Sequence, residues 1–87
     1  MNDLDRLIEE LEDSRVALRA ETKVETGNLR QFTIYVRAKR DKGVMTEYLT
    51  FLLNELRKRE ISPYWIDPHG KSLAIRCLAV RKDLNTG

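Results

Sequence analysis

Between Ser14 and Asp41 apolar and polar residues alternate in two runs, and this pattern limits the fold more than any other feature of the chain. Val16, Leu18, Ala20, Thr22 and Val24 alternate with Ala17, Arg19, Glu21, Lys23 and Glu25. After Gly27-Asn28, Phe32, Ile34, Val36 and Ala38 alternate with Thr33, Tyr35, Arg37 and Lys39. A period of two belongs to a strand with one buried face, and a glycine-bearing break between two such runs predicts a hairpin. Placing Val24 opposite Phe32, Thr22 opposite Ile34 and Ala20 opposite Val36 requires an odd loop, which Gly27-Asn28-Leu29 supplies. The same register sets Glu21 against Tyr35 and Arg19 against Arg37 on the other face. That last pair brings like charges together, which is unfavourable unless an anion or acid lies close by.

Ahead of the hairpin, Leu4, Leu7, Ile8 and Leu11 fall at helical spacing and predict a short amphipathic helix from residue 3 to about 13. Asn2 or Asp3 can cap it, and Asp5 suits the positive end of its dipole. An alternative continues this helix through a Leu4–Leu11–Leu18 heptad seam. The change of period at Ser14 favours a strand from Arg15 instead.

Asp41-Lys42-Gly43 reads as a turn, and a second helix is expected from about Val44 to Arg59. Met45, Tyr48, Leu49, Leu52, Leu53 and Leu56 share one face of it, and Arg57 to Arg59 complement its negative end. Pro63 then rules out further helix. A second hairpin follows, with Pro68-His69-Gly70 as a three-residue loop and Gly70 in the left-handed position. This register turns Ile61, Pro63, Trp65, Leu73, Ile75 and Cys77 inward and Tyr64, Ile66, Ala74, Arg76, Leu78 and Val80 outward. Residues 82 to 87 are polar and are expected to form a frayed tail.

A constant shift of 41 lays the second half on the first without a gap. Leu4, Leu7 and Leu11 fall on Met45, Tyr48 and Leu52, and Phe32, Ile34 and Val36 fall on Leu73, Ile75 and Cys77. The chain therefore reads as one α+β domain of residues 1–87, built of two αββ half-units at about 3–41 and 44–82. The expected architecture is a four-stranded antiparallel sheet with both helices on one face. The αββαββ order also occurs in the LAGLIDADG endonucleases, whose concave sheet lies on DNA. This chain lacks their motif and its half-units are far shorter, so the resemblance is one of element order alone.

At 87 residues burial is modest, and association with a second copy is a natural aid to stability. The lone Cys77 excludes an internal disulfide and a multi-cysteine zinc cluster. No stretch reaches the roughly 18 apolar residues of a membrane span. The opening Met-Asn-Asp-Leu-Asp lacks the basic start of a signal peptide, so a cytoplasmic location is expected. No nucleotide-binding, phosphate-loop or hydrolase motif is present, and neither a catalytic residue nor a metal or cofactor site is expected. His69 and Asp67 are explained by turn chemistry, and Cys77 and Trp65 by the core.

The net charge of +2 hides an uneven distribution, acidic over the first thirteen residues and basic afterwards. On the outward face of the first hairpin, Arg19, Lys23, Tyr35, Arg37 and Lys39, followed by Arg40, combine cations for phosphate with an aromatic for stacking. Tyr64, Ile66, Arg76, Leu78 and Val80 of the second hairpin are too apolar for a fully solvated face and suit a protein contact, most simply a second copy. The expectation is a small non-enzymatic accessory or regulatory protein, dimeric, that binds DNA or RNA. The alternative is a protein-binding module or inhibitor, and a small enzyme is the third choice.

Overall fold

The computed structural model describes residues 3–39 and 45–80. The expected Asp41-Lys42-Gly43 turn, Arg40 and the 82–87 tail lie outside the described residues. Helix α1 spans Asp3–Leu11, strands β1 and β2 span Val16–Thr26 and Leu29–Ala38, helix α2 spans Met45–Lys58, and strands β3 and β4 span Ile61–His69 and Ser72–Val80. All four strands form one antiparallel sheet in the order β1-β2-β4-β3. The α+β class and the αββαββ order read from the sequence are those of the structure.

The two hairpins meet through β2 and β4, and the centre of that pairing joins Ile34 to Ile75. These residues are separated by the repeat shift of 41, so the two halves face each other across a pseudo-two-fold axis. α1 packs over β1 and α2 over β3, which closes the inner sheet face from both sides. Leu4, Leu7 and Leu11 of α1 and Tyr48, Leu52 and Leu56 of α2 enclose Val16, Leu18, Phe32, Ile34, Val36, Ile75 and Cys77. Burial pushes the Cys77 thiol up to about 12, which keeps it neutral and unreactive.

Tyr48 ties the two helices together. Its ring is fully buried, and its hydroxyl donates to the Leu11 carbonyl at 2.6 Å, satisfying an acceptor left open by the end of α1. Burial raises the pKa of this hydroxyl far above its ordinary value, so it stays a donor. Arg15, bridged to Asp13 at 2.6 Å, lies 5.2 Å from the centre of the same ring. Tyr48→Phe keeps the packing but orphans a buried carbonyl. It is expected to cost about 1–3 kcal/mol in a urea titration followed by far-UV circular dichroism.

Both hairpins depart from the expected register, and for the same reason. Their loops are the two-residue turns Gly27-Asn28 and Gly70-Lys71, each opened by a glycine at positive φ, +58° and +61°. A two-residue turn with glycine first matches the right-handed twist of the strands. Nothing lies within 4 Å of a Cβ built at either glycine, so backbone conformation rather than space selects it. In the first hairpin the pairs are Leu18–Val36, Ala20–Ile34 and Thr22–Phe32, two residues from the expected register. The parity that an odd loop was to supply comes instead from a bulge at Lys23. Beyond it Val24 pairs with Gln31 and turns out to solvent, 47% exposed.

A second bulge, at Tyr64, lies 41 positions after the first. It reverses the faces of the next residues. Trp65, expected inside, pairs with Arg76 on the outer face and is 55% exposed. Ile66, expected outside, pairs with the buried Ile75 on the helix-facing side. It remains 41% exposed because β3 is an edge strand, where it borders a shallow groove with Leu53 and Arg57 of α2.

Candidate functional site

With both helices on the inner face, no described helix or strand covers the outer face of the sheet. Pairing across the strands orders it in rows. One row runs Val24, Gln31, Leu78, Ser62; the next runs Glu21, Thr33, Arg76, Trp65; the third runs Arg19, Tyr35, Ala74, Asp67. Thr26, Leu29 and Val80 lie beyond the first row, and Ala17, Arg37, Ser72 and His69 beyond the third.

This map regroups the residues singled out in the sequence. β2 and β4 run antiparallel, so the end of β4 lies beside the start of β2. Leu78 and Val80 of the second hairpin therefore join Val24 and Leu29 of the first in one apolar end. Tyr35, Arg37 and Arg19 gather at the opposite end with His69 of the second hairpin, and exposed Lys39 follows Arg37 just past the end of β2. The boundary between polar and apolar character crosses both hairpins instead of separating them.

Arg19 does not meet Arg37. It pairs with Tyr35, its guanidinium carbon 4.2 Å from the centre of that ring, and bridges Glu21 at 3.3 Å. His69 approaches Tyr35 from the other hairpin, with ring centroids 5.0 Å apart, across the small Ala74. The bulge residue Lys23 also bridges Glu21. The hydrogen bond from Lys23 is the main cause that holds the Glu21 carboxyl below its ordinary range, with Arg19 adding to it. Glu21 and the Tyr35 hydroxyl in turn raise Lys23, which keeps it charged.

Arg76, with 54% of its side chain exposed, bridges Asp67 at 3.4 Å. Arg37 and Lys39 are exposed and have no ion pair among the described residues. Among the described residues five cations on this face thus stand against two carboxylates, and the uncompensated positive charge concentrates at the Arg37 end. Arg40, also expected in this set, lies outside the described residues.

No protein-family model, curated protein or solved structure matches this chain significantly. Among the described residues no group of three His, Cys, Asp or Glu side chains is placed to hold a metal ion. No described helix is long and apolar enough to cross a membrane.

Two outer-face aromatics escaped the sequence reading. His69 sits in a turn-forming stretch, and no local signal points its ring toward Tyr35. Trp65 stands in the unbroken apolar run Tyr64-Trp65-Ile66, where alternation is lost and either face fits. Tyr64, 51% exposed, is on the outer face as expected, with its hydroxyl 3.4 Å from Gln31 Nε2.

Proposed function

We propose that this chain is a small non-enzymatic accessory or regulatory protein of the cytoplasm that binds nucleic acid on the uncovered face of its sheet. The observation that carries this reading is the composition of that face. Arg19, Lys23, Arg37, Lys39 and Arg76 surround the aromatic side chains of Tyr35, Tyr64, Trp65 and His69 on one continuous surface. Cations of this kind neutralise phosphates and release counterions, while aromatic rings offer surfaces to bases. Arg19 stacked on Tyr35 serves both purposes, because a guanidinium plane also stacks on a base.

Fluorescence anisotropy with labelled DNA and RNA tests the proposal. Three phosphate contacts predict that log affinity falls with log salt at a slope of about −2 on a single strand. Absence of any complex at roughly 20 mM salt, where screening is weak, removes the proposal.

The apolar end favours a second, compatible reading, in which two copies associate there. Val24, Leu29 and Val80 are each more than two-fifths exposed, and Leu78 lies among them. An apolar group of this kind, bounded by polar residues, suits a contact between copies. The expected result is a dimer mass in light scattering that Leu78→Glu returns to the monomer. A monomer at every concentration of the unmodified protein excludes it.

A further inference from the structure

We infer that the nucleic acid bound by this face is single-stranded, with an unstacked base against Tyr64 and Trp65 and its edge directed toward Thr33. This inference rests on the proposed function and narrows it.

The bulge at Tyr64 sets two consecutive aromatic residues opposite one residue, Arg76, on the outer face. Tyr64 and Trp65 are 51% and 55% exposed, although Trp65 is the only tryptophan of a chain with a small core. Leaving it half in water forgoes burial that a core position would supply. The strand is thus arranged to present flat apolar rings beside a cation, which is the composition of a base-stacking platform.

Beside this platform the sheet has a depression of about 390 Å³ lined by Lys23, Gln31, Phe32, Thr33, Tyr64 and Arg76. Thr33 is buried, 4% exposed, and unlike the buried Tyr48 hydroxyl its hydroxyl has no hydrogen-bond partner among the described residues. A buried hydroxyl without a partner costs stability, and it offers one donor and two acceptor positions. Gln31, whose contact with Tyr64 is a long 3.4 Å, supplies an amide at the same place. Amide and hydroxyl groups match the donors and acceptors on the edge of a base, and Lys23 and Arg76 flank them for phosphate.

The geometry selects the form of the nucleic acid. Tyr35 lies one row and two strands from Trp65, about 12 Å away from strand spacings of ~4.8 Å and ~3.4 Å per residue. Bases stacked in a helix rise only about 3.4 Å per step, so no stacked neighbours reach both rings. The faces of bases in a duplex are also closed to any ring outside the stack. An open single strand meets both conditions.

The decisive experiment combines anisotropy with the emission of Trp65, measured on the full chain at 50 mM salt or about that ionic strength. The probes are ten-nucleotide oligo-dT, oligo-U and a blunt duplex of about two turns. Single strands are expected to quench Trp65 and to bind at least about tenfold tighter than the duplex. Trp65→Ala is expected to weaken single-strand binding by about 5- to 150-fold, the range of one lost base stack. Thr33→Val, which removes the hydroxyl and keeps the shape, is expected to weaken it by about threefold or more without lowering Tm.

A duplex that binds as tightly as the single strands, with Trp65 emission unchanged, overturns this inference while nucleic-acid binding stands. Unchanged single-strand affinity in a folded Trp65→Ala variant does the same. If no probe binds even at low salt, the functional proposal fails and this inference fails with it.

Discussion

Replacing Ile34 or Ile75 by alanine is expected to cost about 2–5 kcal/mol in either case, and replacing both should leave the chain unfolded at 25 °C. Both side chains are fully buried and pair at the centre of β2 and β4. A chain of 87 residues holds only about 4–13 kcal/mol in total, at ~0.05–0.15 kcal/mol per residue. One large cavity therefore consumes much of the stability, and two exceed the lower part of that range. These positions are also where one half-unit meets the other. Neither αββ half closes its inner face alone, since the core draws on both helices and three strands at once. Urea titration by far-UV circular dichroism is the appropriate measurement, because the exposed Trp65 reports weakly on unfolding. A double variant that unfolds cooperatively near the wild-type midpoint would contradict this account of the interface.

Reversing charge at Arg37 and Lys39 together, Arg37→Glu and Lys39→Glu, is expected to reduce nucleic-acid affinity by at least about 30-fold near 50 mM salt. The same change should flatten the salt dependence by about 1.4 in slope, which corresponds to two lost phosphate contacts at ~0.7 each. Both side chains are exposed and have no ion pair among the described residues, so the fold should tolerate the change. Arg19 and Lys23 differ in this respect, since both already bridge Glu21. Reversal of either disturbs a local network and confounds binding with structure. Binding isotherms at four salt concentrations, with circular dichroism of the variant, give both quantities. Unaltered affinity and slope would take this end of the sheet out of the interface.

The residues differ sharply in how far their own sequence neighbourhood determined their place. Leu4, Leu7 and Leu11, like Tyr48, Leu52 and Leu56, declared their buried face by helical spacing alone. Phe32, Ile34 and Val36, with Ile75 and Cys77, declared theirs by alternation, because each lies in a central strand without a bulge. Periodicity is local, and a packed face needs nothing else to become visible. The repeat shift of 41 likewise anticipated the axis between Ile34 and Ile75.

Val24, Trp65 and Ile66 depended on the tertiary structure. Their faces are set by the bulges at Lys23 and Tyr64, and an extra residue in a strand leaves no mark in hydrophobicity. The outer face depended on it further. Only the β1-β2-β4-β3 order brings His69 to Tyr35 and sets Leu78 and Val80 near Leu29. Such neighbours come from different hairpins and meet only when the sheet assembles. The sequence by itself thus determined the elements and the face that packs. The pairing of the two halves decided which side chains stand together on the face that does not, because that face carries no periodic apolar signal and its groups become neighbours only through long-range strand pairing.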